Sequence, residues 1–340
     1  MKFSEYMNKW LYAKDGYYSS YKEIGKEGDF YTAVSSSQFF GGSIAKRFLK
    51  SLNDGFFGQN CHIVEIGAHR GYLLADIVQF IYTLEPELLK SLKFVIVEPF
   101  ESNKKIQNEY FGDSFGDAVK LTHVNSLDEL KVKEAFFIAN EIFDAFGCEL
   151  VKDHKMLHMN KHTPFFAPIE HNLEQICEKY GIFKGEVAVG YEDFALKLFD
   201  SAEKFEFITF DYGEKFSRDD FSIRIYHKHN VYPFFALTDF VKDEKLREKI
   251  ELQELYKKSD ITYDVNFKHL IGAFKEAQIE CKEFSSQLKA LIDFGLIELL
   301  ELLKHNASQE AYKSELNRVK TLIDPAFMGE RFKMVNFIKD

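Results

Sequence analysis

The sequence lacks a basic excess, paired cysteines, a long apolar run and any evident internal repeat. Lys and Arg number 44 against 54 Asp and Glu, a formal net charge of −10 over 340 residues. Neutralising a phosphate backbone needs clustered cations, so nucleic acid is not expected as a main partner. The four cysteines, Cys61, Cys148, Cys177 and Cys281, are far apart. They have no metal-ligand spacing and read as reduced thiols. No apolar stretch approaches the ~18 residues of a membrane helix, so no membrane insertion is expected. The opening Met1-Lys2-Phe3-Ser4-Glu5 lacks the basic-then-apolar form of a secretory signal, and the cytoplasm is the expected compartment. What is abundant is phenylalanine, 36 residues, within an apolar content of 46%, ample for a core. The length suits one large α/β domain with insertions or two smaller ones.

The most informative stretch runs from His62 to Leu74. Ile63 to Ile66 reads as a buried strand, Gly67 to Gly71 as a tight turn, and Leu73, Leu74, Ile77, Val78 and Ile81 recur at helical spacing. Strand, glycine turn and helix in that order build the first unit of a nucleotide-binding α/β sheet. The glycines admit backbone to a ligand, and the helix start offers unpaired N–H groups. Glu65, two residues before the first glycine, favours S-adenosylmethionine over a dinucleotide. A carboxylate there can meet a cationic end and would repel a pyrophosphate. The middle glycine of either version of the motif is His69 here.

Phe94 to Val97 is a second buried strand, and Glu98 at its end lies where an acid accepts ribose hydroxyls. Its interval from the turn is a little longer than the usual ~20 residues. Residues 101–110 form a short helix and 119–124 a weak third strand, after which Asn125 and Ser126 could face an adenine edge. Ala135 to Ala139 is a fourth strand. Ligands bind outside the carboxyl ends of parallel strands, so Asn140 and Glu141 stand where substrate meets cofactor. Glu141 and Asp144 share a face if a helical turn starts there. Two readings stay open: paired carboxylates for a guanidinium, or first-turn acids on a helix N-terminus, which residue chemistry alone puts first.

Upstream, residues 3–14 have helical spacing. The loop of Gly28, Asp29 and Thr32 reads equally as a connector or as a lid, and leads to a serine-capped helix over 37–50. His154, His158 and His162 invite a metal, but only Asp153 is spaced to complete a ligand set, so no metal is expected. A helix over 193–203 leads to a fifth strand, Phe205 to Phe210, and residues 222–229 read as a further strand. From 285 to 320 the pattern is helical, with an apolar stripe from Leu288 to Leu303 that suits core packing, although a homodimer contact is equally open. Residues 324–338 read as a loop and a terminal strand returning to the sheet edge. The organisation expected is an N-terminal helical and lid segment (1–60), a cofactor core (61–147 and 193–230), an insertion (148–192), a mainly helical substrate lobe (231–323) and the terminal loop and strand (324–340).

Taken in order, several pieces resemble the MidA-type family of S-adenosylmethionine-dependent methyltransferases, which includes the mitochondrial complex I assembly methyltransferase. They are Gly28-Asp29-Phe30 with Thr32, Gln38 to Gly41, Glu65-x-Gly67 with Arg70-Gly71, Ala139-Asn140-Glu141-x-Phe143-Asp144-Ala145, Asp211-Tyr212-Gly213, Arg224-x-Tyr226, and Met328-Gly329-Glu330-Arg331-Phe332-Lys333. The resemblance spans about residues 28 to 338. It implies an α/β fold of the class I methyltransferase (Rossmann-like) type with a lid, an inserted lobe and C-terminal helices. It also implies S-adenosylmethionine as cofactor and arginine methylation on a protein substrate such as a complex I subunit. On this chain Glu65, Gly67 and Gly71 would frame the methionine part, Glu98 the ribose, and the Gly28–Thr32 loop would close the site. Glu141, with Asp144, would orient a guanidinium. The family's turn has Pro and Gly where this chain has Ala68 and His69, and its proline and glutamate after the Thr32 region are Val34 and Ser35 here. A small-molecule methyltransferase and a catalytically silent assembly factor remain as other readings.

Overall fold

His62–Ile66 (β1), Lys93–Val97 (β2), Leu121–Val124 (β3) and Val132–Asn140 (β4) pair in parallel. In β1, β2 and β4 the apolar runs are near-continuous rather than alternating, as strands covered on both faces require, whereas β3 is mixed and only partly buried. In β4, residues Ala135 to Ala139 are all fully buried. Ala202–Glu214 (β5) joins β4 in parallel, while Glu280–Ser286 (β6) and Phe332–Lys339 (β7) pair antiparallel with each other. The strand order is β6-β7-β5-β4-β1-β2-β3. These observations come from a computed structural model that describes residues 1–19, 32–241 and 248–340.

The terminal strand therefore does not return to the sheet edge. It lies between β5 and β6, and the edge is β6, which starts before the stretch read as helical. Glu280, Lys282 and Glu283 give β6 the charged character of an edge strand and hide it from an apolar-pattern reading. The leucine stripe is not one helix. Gly295, at φ +92°, separates Gln287–Asp293 from Leu296–Asn306. Leu291, Leu296, Leu299 and Leu300 are core. Among the described residues no helix is long and apolar enough to cross a membrane.

The chain divides into two compact units. One comprises Thr32–Glu141, Ala195–Asp211 and Ala277–Asp340 and holds the large sheet. Within it Phe39–Asn53 (α1) packs on Tyr72–Leu84 (α2) through glycines, since a Cβ on Gly41 would fall 2.6 Å from the Asp76 Cβ. The helix Glu101–Phe115 (α3) lies between β2 and β3 in sequence. The other unit comprises residues 1–19, Ile142–Phe194 and the described part of Tyr212–Glu276. It contains a four-stranded antiparallel sheet built from Cys148–Lys152, Lys155–Asn160, Thr163–Pro168 and Lys184–Ala188. The helix His171–Tyr180 packs on that sheet through Leu173, Cys177 and Tyr180. Arg224–His227 is in a three-stranded sheet of its own with Asn230–Pro233 and Asp260–Thr262.

Glu206 of β5 is 1% exposed and is the polar anchor of the large-sheet unit. It accepts from Arg47 Nε at 2.7 Å and Ser51 Oγ at 2.5 Å, both on α1, and from Asn336 Nδ2 of β7 at 2.9 Å. Removing it leaves three donors without their acceptor. Glu206→Ala should lower unfolding free energy by about 3–5 kcal/mol in urea titration. Arg47→Ala, at a partly solvated side chain, should cost less. Equal, sub-kilocalorie losses would refute the anchoring role.

Candidate functional site

The turn after β1 is built on left-handed backbone. Gly67 has φ +74°, His69 +47° and Gly71 +80°. His69 thus adopts the conformation that a glycine would take freely, at a cost of about 1–2 kcal/mol for a side-chain-bearing residue. The chain path of a glycine-rich turn is kept despite the substitution. Gly67 is exposed, as close approach of a ligand to the backbone requires. Gly71 is not exposed, and a Cβ there would lie 3.2 Å from Phe111 and 3.6 Å from Gln107, both on α3.

Glu65 is buried, and its Oε2 accepts from the Leu74 N–H at 3.0 Å. It stitches β1 to the first turn of α2. Burial pushes its carboxyl up to about 8, against the pull of the Leu74 bond, and nearby Asp76 adds to the rise. Its first task here is therefore internal, and at neutral pH it is mostly uncharged.

Glu98 is buried at the end of β2. Its Oε1 accepts from Phe100 N–H at 2.9 Å, and its Oε2 from Asn103 Nδ2 at 3.2 Å and Gln107 Nε2 at 3.3 Å. Burial raises its pKa and these donors oppose the rise. A carboxylate has about four acceptor positions, so one remains for a further hydroxyl. Asn125 is committed locally: its Oδ1 accepts from Lys104 Nζ at 2.6 Å, and its Nδ2 donates to the Glu129 carboxylate at 2.8 Å.

At the carboxyl end of β4, Asn140 donates from Nδ2 to Glu141 Oε1 at 2.8 Å, while its buried Oδ1 has no partner among the described residues. Glu141 N–H still bonds to Phe210 O at 2.8 Å, and its φ is +54°. No helix starts there. Only a single 3-10 turn follows, over Phe143–Ala145. Neither the shared helical face nor the helix-terminus reading of Glu141 and Asp144 holds, because the left-handed residue breaks the helical path.

Asp144, in the other unit, is buried and accepts from the Tyr212 hydroxyl. Burial raises its carboxyl to about 6, while the Tyr212 bond and the Arg224 charge act against that rise. The Arg224 guanidinium lies 4.7 Å from the Tyr212 ring centre, donates to Tyr226 Oη at 3.0 Å and pairs with Asp264 at 2.6 Å. The fold thus brings together three separate motif pieces, and Asp144 already has a guanidinium of this chain in its surroundings.

Thr32 caps the short helix Ala33–Ser36 in a reciprocal box with Ser35. The helix expected over 37–50 with a serine N-cap runs over Phe39–Asn53, and its N-cap is Gln38 without a side-chain cap bond; Ser37 Oγ, one residue earlier, accepts from the Phe39 N–H at 3.1 Å. Gly28 and Asp29 lie outside the described residues. The three histidines are dispersed: His154 pairs with Glu174, His158 stacks on Phe165, and His162 bonds Tyr6. Gln107, which contacts both Glu98 and the turn, was invisible to pattern reading, since a lone glutamine in a polar helix carries no signal.

The model of a family described as putative S-adenosyl-L-methionine-dependent methyltransferases matches residues 43–285, more than half of the chain. A crystal structure from Burkholderia thailandensis, bound to S-adenosyl-homocysteine, is similar with a TM-score of 0.81 at 22% identity, over 100% of this chain and 88% of that one. A native crystal structure from the same organism gives 0.77 at 21%, over 100% and 87%. These likenesses establish the fold, the class I Rossmann-like sheet with its switch point between β1 and β4.

The buried Glu65 makes stability pH-dependent. The folded chain keeps its proton up to about pH 8, whereas the unfolded chain loses it near 4.5. The folded state binds more protons in that window, so this group's contribution to stability falls as pH rises through it. Glu65→Gln keeps an oxygen for Leu74 and cannot ionise. Its stability relative to wild type should rise between pH 5 and 8.5 by at least about 1 kcal/mol in urea unfolding. A pH-independent difference would mean that Glu65 is ionised in the fold.

Proposed function

The chain belongs to the family of S-adenosyl-L-methionine-dependent methyltransferases, and on that premise we propose that it methylates an arginine on a protein substrate, such as a respiratory complex I subunit. It is a methyltransferase, and S-adenosylmethionine is its cofactor. The observation that carries the arginine reading is the Asn140–Glu141 pair at the end of β4, beside the switch point where ligands of such sheets bind. The resemblance to the MidA-type sequences supports arginine as the acceptor.

The donor set fits the cofactor. Among the described residues Glu98 has an acceptor position left for a ribose hydroxyl, and Asn140 Oδ1 is a buried acceptor without a protein partner. The exposed Gly67 and the turn beyond it take the amino-acid part. The bound cofactor supplies a sulfonium methyl for in-line displacement by nitrogen. The chain's own residues supply placement and electrostatics. Glu141 accepts N–H bonds from a guanidinium, localises its positive charge and leaves one nitrogen better able to attack. Asn140 fixes the Glu141 carboxylate through Nδ2. The left-handed His69 preserves the turn, so the silent-factor reading gains no support from this geometry.

Calorimetric titration should give micromolar binding of S-adenosylmethionine and S-adenosylhomocysteine, reduced at least about tenfold by Glu98→Ala. Glu141→Gln should bind S-adenosylhomocysteine as wild type does and lose about a hundredfold in methyl transfer to protein arginine. Transfer is measured as labelled methylarginine after hydrolysis. Label found only in small molecules, or full activity in Glu141→Gln, would sink the arginine reading.

A further inference from the structure

Gln107 sits in the middle of α3, is fully buried, and uses every polar atom of its amide. Its Nε2 donates to the His69 carbonyl at 2.8 Å and to Glu98 Oε2 at 3.3 Å. Its Oε1 meets His123 Nε2 at 2.9 Å, on β3. Both neighbours of Nε2 are oxygens, so this atom must be the amide nitrogen. Oε1 then needs a donor, which puts a hydrogen on His123 Nε2. The orientation of the amide is determined from three sides.

We propose that Gln107 is a positioning residue of the cofactor site, tying the carbonyl of the glycine turn to the carboxylate that takes the ribose. It thereby sets the spacing between the two halves of the site. The proposal rests on the reading of Glu98 as the ribose acceptor. Of the three donors that hold Glu98, Gln107 is the one that also bonds the turn; the Phe100 N–H, just before α3, and Asn103 Nδ2, in its first turn, reach Glu98. Gln107 also lies close to the turn: a Cβ added to Gly71 would stand 3.6 Å from Gln107 Cγ. Without the Gln107 donor, the His69 carbonyl loses this bond and Glu98 loses one of its three donors, which releases it to a second rotamer.

The experiment is a double-mutant cycle on the full chain, read by calorimetric binding of S-adenosylhomocysteine and of adenosine, which carries the ribose without the amino acid. Gln107→Met keeps length and apolar volume and removes the donor. It should weaken both ligands about tenfold, and most of that loss should vanish in a Glu98→Gln background. Thermal unfolding checks that each variant is folded. If Gln107→Met does not fold, His123→Leu removes the bond that orients the amide. It should weaken adenosine severalfold, again non-additively with Glu98→Gln. Wild-type affinity in Gln107→Met alongside a weakened Glu98→Gln would overturn the proposal and leave the ribose reading intact. So would additive losses, the signature of a merely structural residue. Wild-type affinity in Glu98→Gln would overturn the ribose reading and the proposal with it.

Discussion

Parallel strands at the centre of a sheet have no face to give to water, and this constraint orders the larger unit. β1 is buried from Ile63 to Ile66 and β4 from Ala135 to Ala139, and these stretches must be covered on both sides. The helix that follows β1 supplies one cover, and α1 packs against that helix closely enough to need glycine at 41 and 42. The same pairing makes β1 the point where the strand order reverses, with β2 on one side and β4 on the other. The loops leaving β1, β2 and β4 then collect at one end of the sheet. Gly67, Glu98 and Asn140 are neighbours for that topological reason, although long stretches of sequence separate them.

Burying polar groups in such a frame is tolerable only where donors and acceptors are matched. Glu206 meets three donors, Glu98 three, and Glu65 one backbone N–H. The differences follow the chemistry. At Glu65 a single donor and an acidic neighbour leave burial to push the carboxyl up to about 8. A carboxylate near the turn is thus first a structural element. Matching is not complete: among the described residues Asn140 Oδ1 and Asn336 Oδ1 are buried oxygens without a hydrogen-bond partner.

In the other unit, Asp144, Tyr212, Arg224 and Asp264 form one network from segments far apart in the chain. Tyr212 and Arg224 are parts of short motifs that carry no evident role when read singly. Their role is mutual: a phenol donates to one carboxylate, and a guanidinium stacks on that phenol while pairing with another. This use of Arg224 changes the meaning of Asp144, which already has cationic company within its own unit.

Local chemistry wrote several features directly into the sequence. The β1–turn–helix unit, the burial of β2 and β4, and the acidic strand ends could all be read there, because apolar periodicity and glycine placement act over a few residues. From these and the order of motifs, the class I methyltransferase fold and its cofactor were legible. Tertiary structure alone decided the rest. The charged edge strand β6 shows no apolar pattern, and its pairing with β7 depends on a partner over forty residues away. Glu141 takes left-handed backbone while its N–H stays bonded to Phe210 of the neighbouring strand, a pairing that no local pattern shows. Gln107 acquires a role only when α3 lays it against the turn and Glu98 together. Sequence patterns record what each residue prefers within its own turn of chain. Which distant groups become neighbours depends on packing the whole sheet.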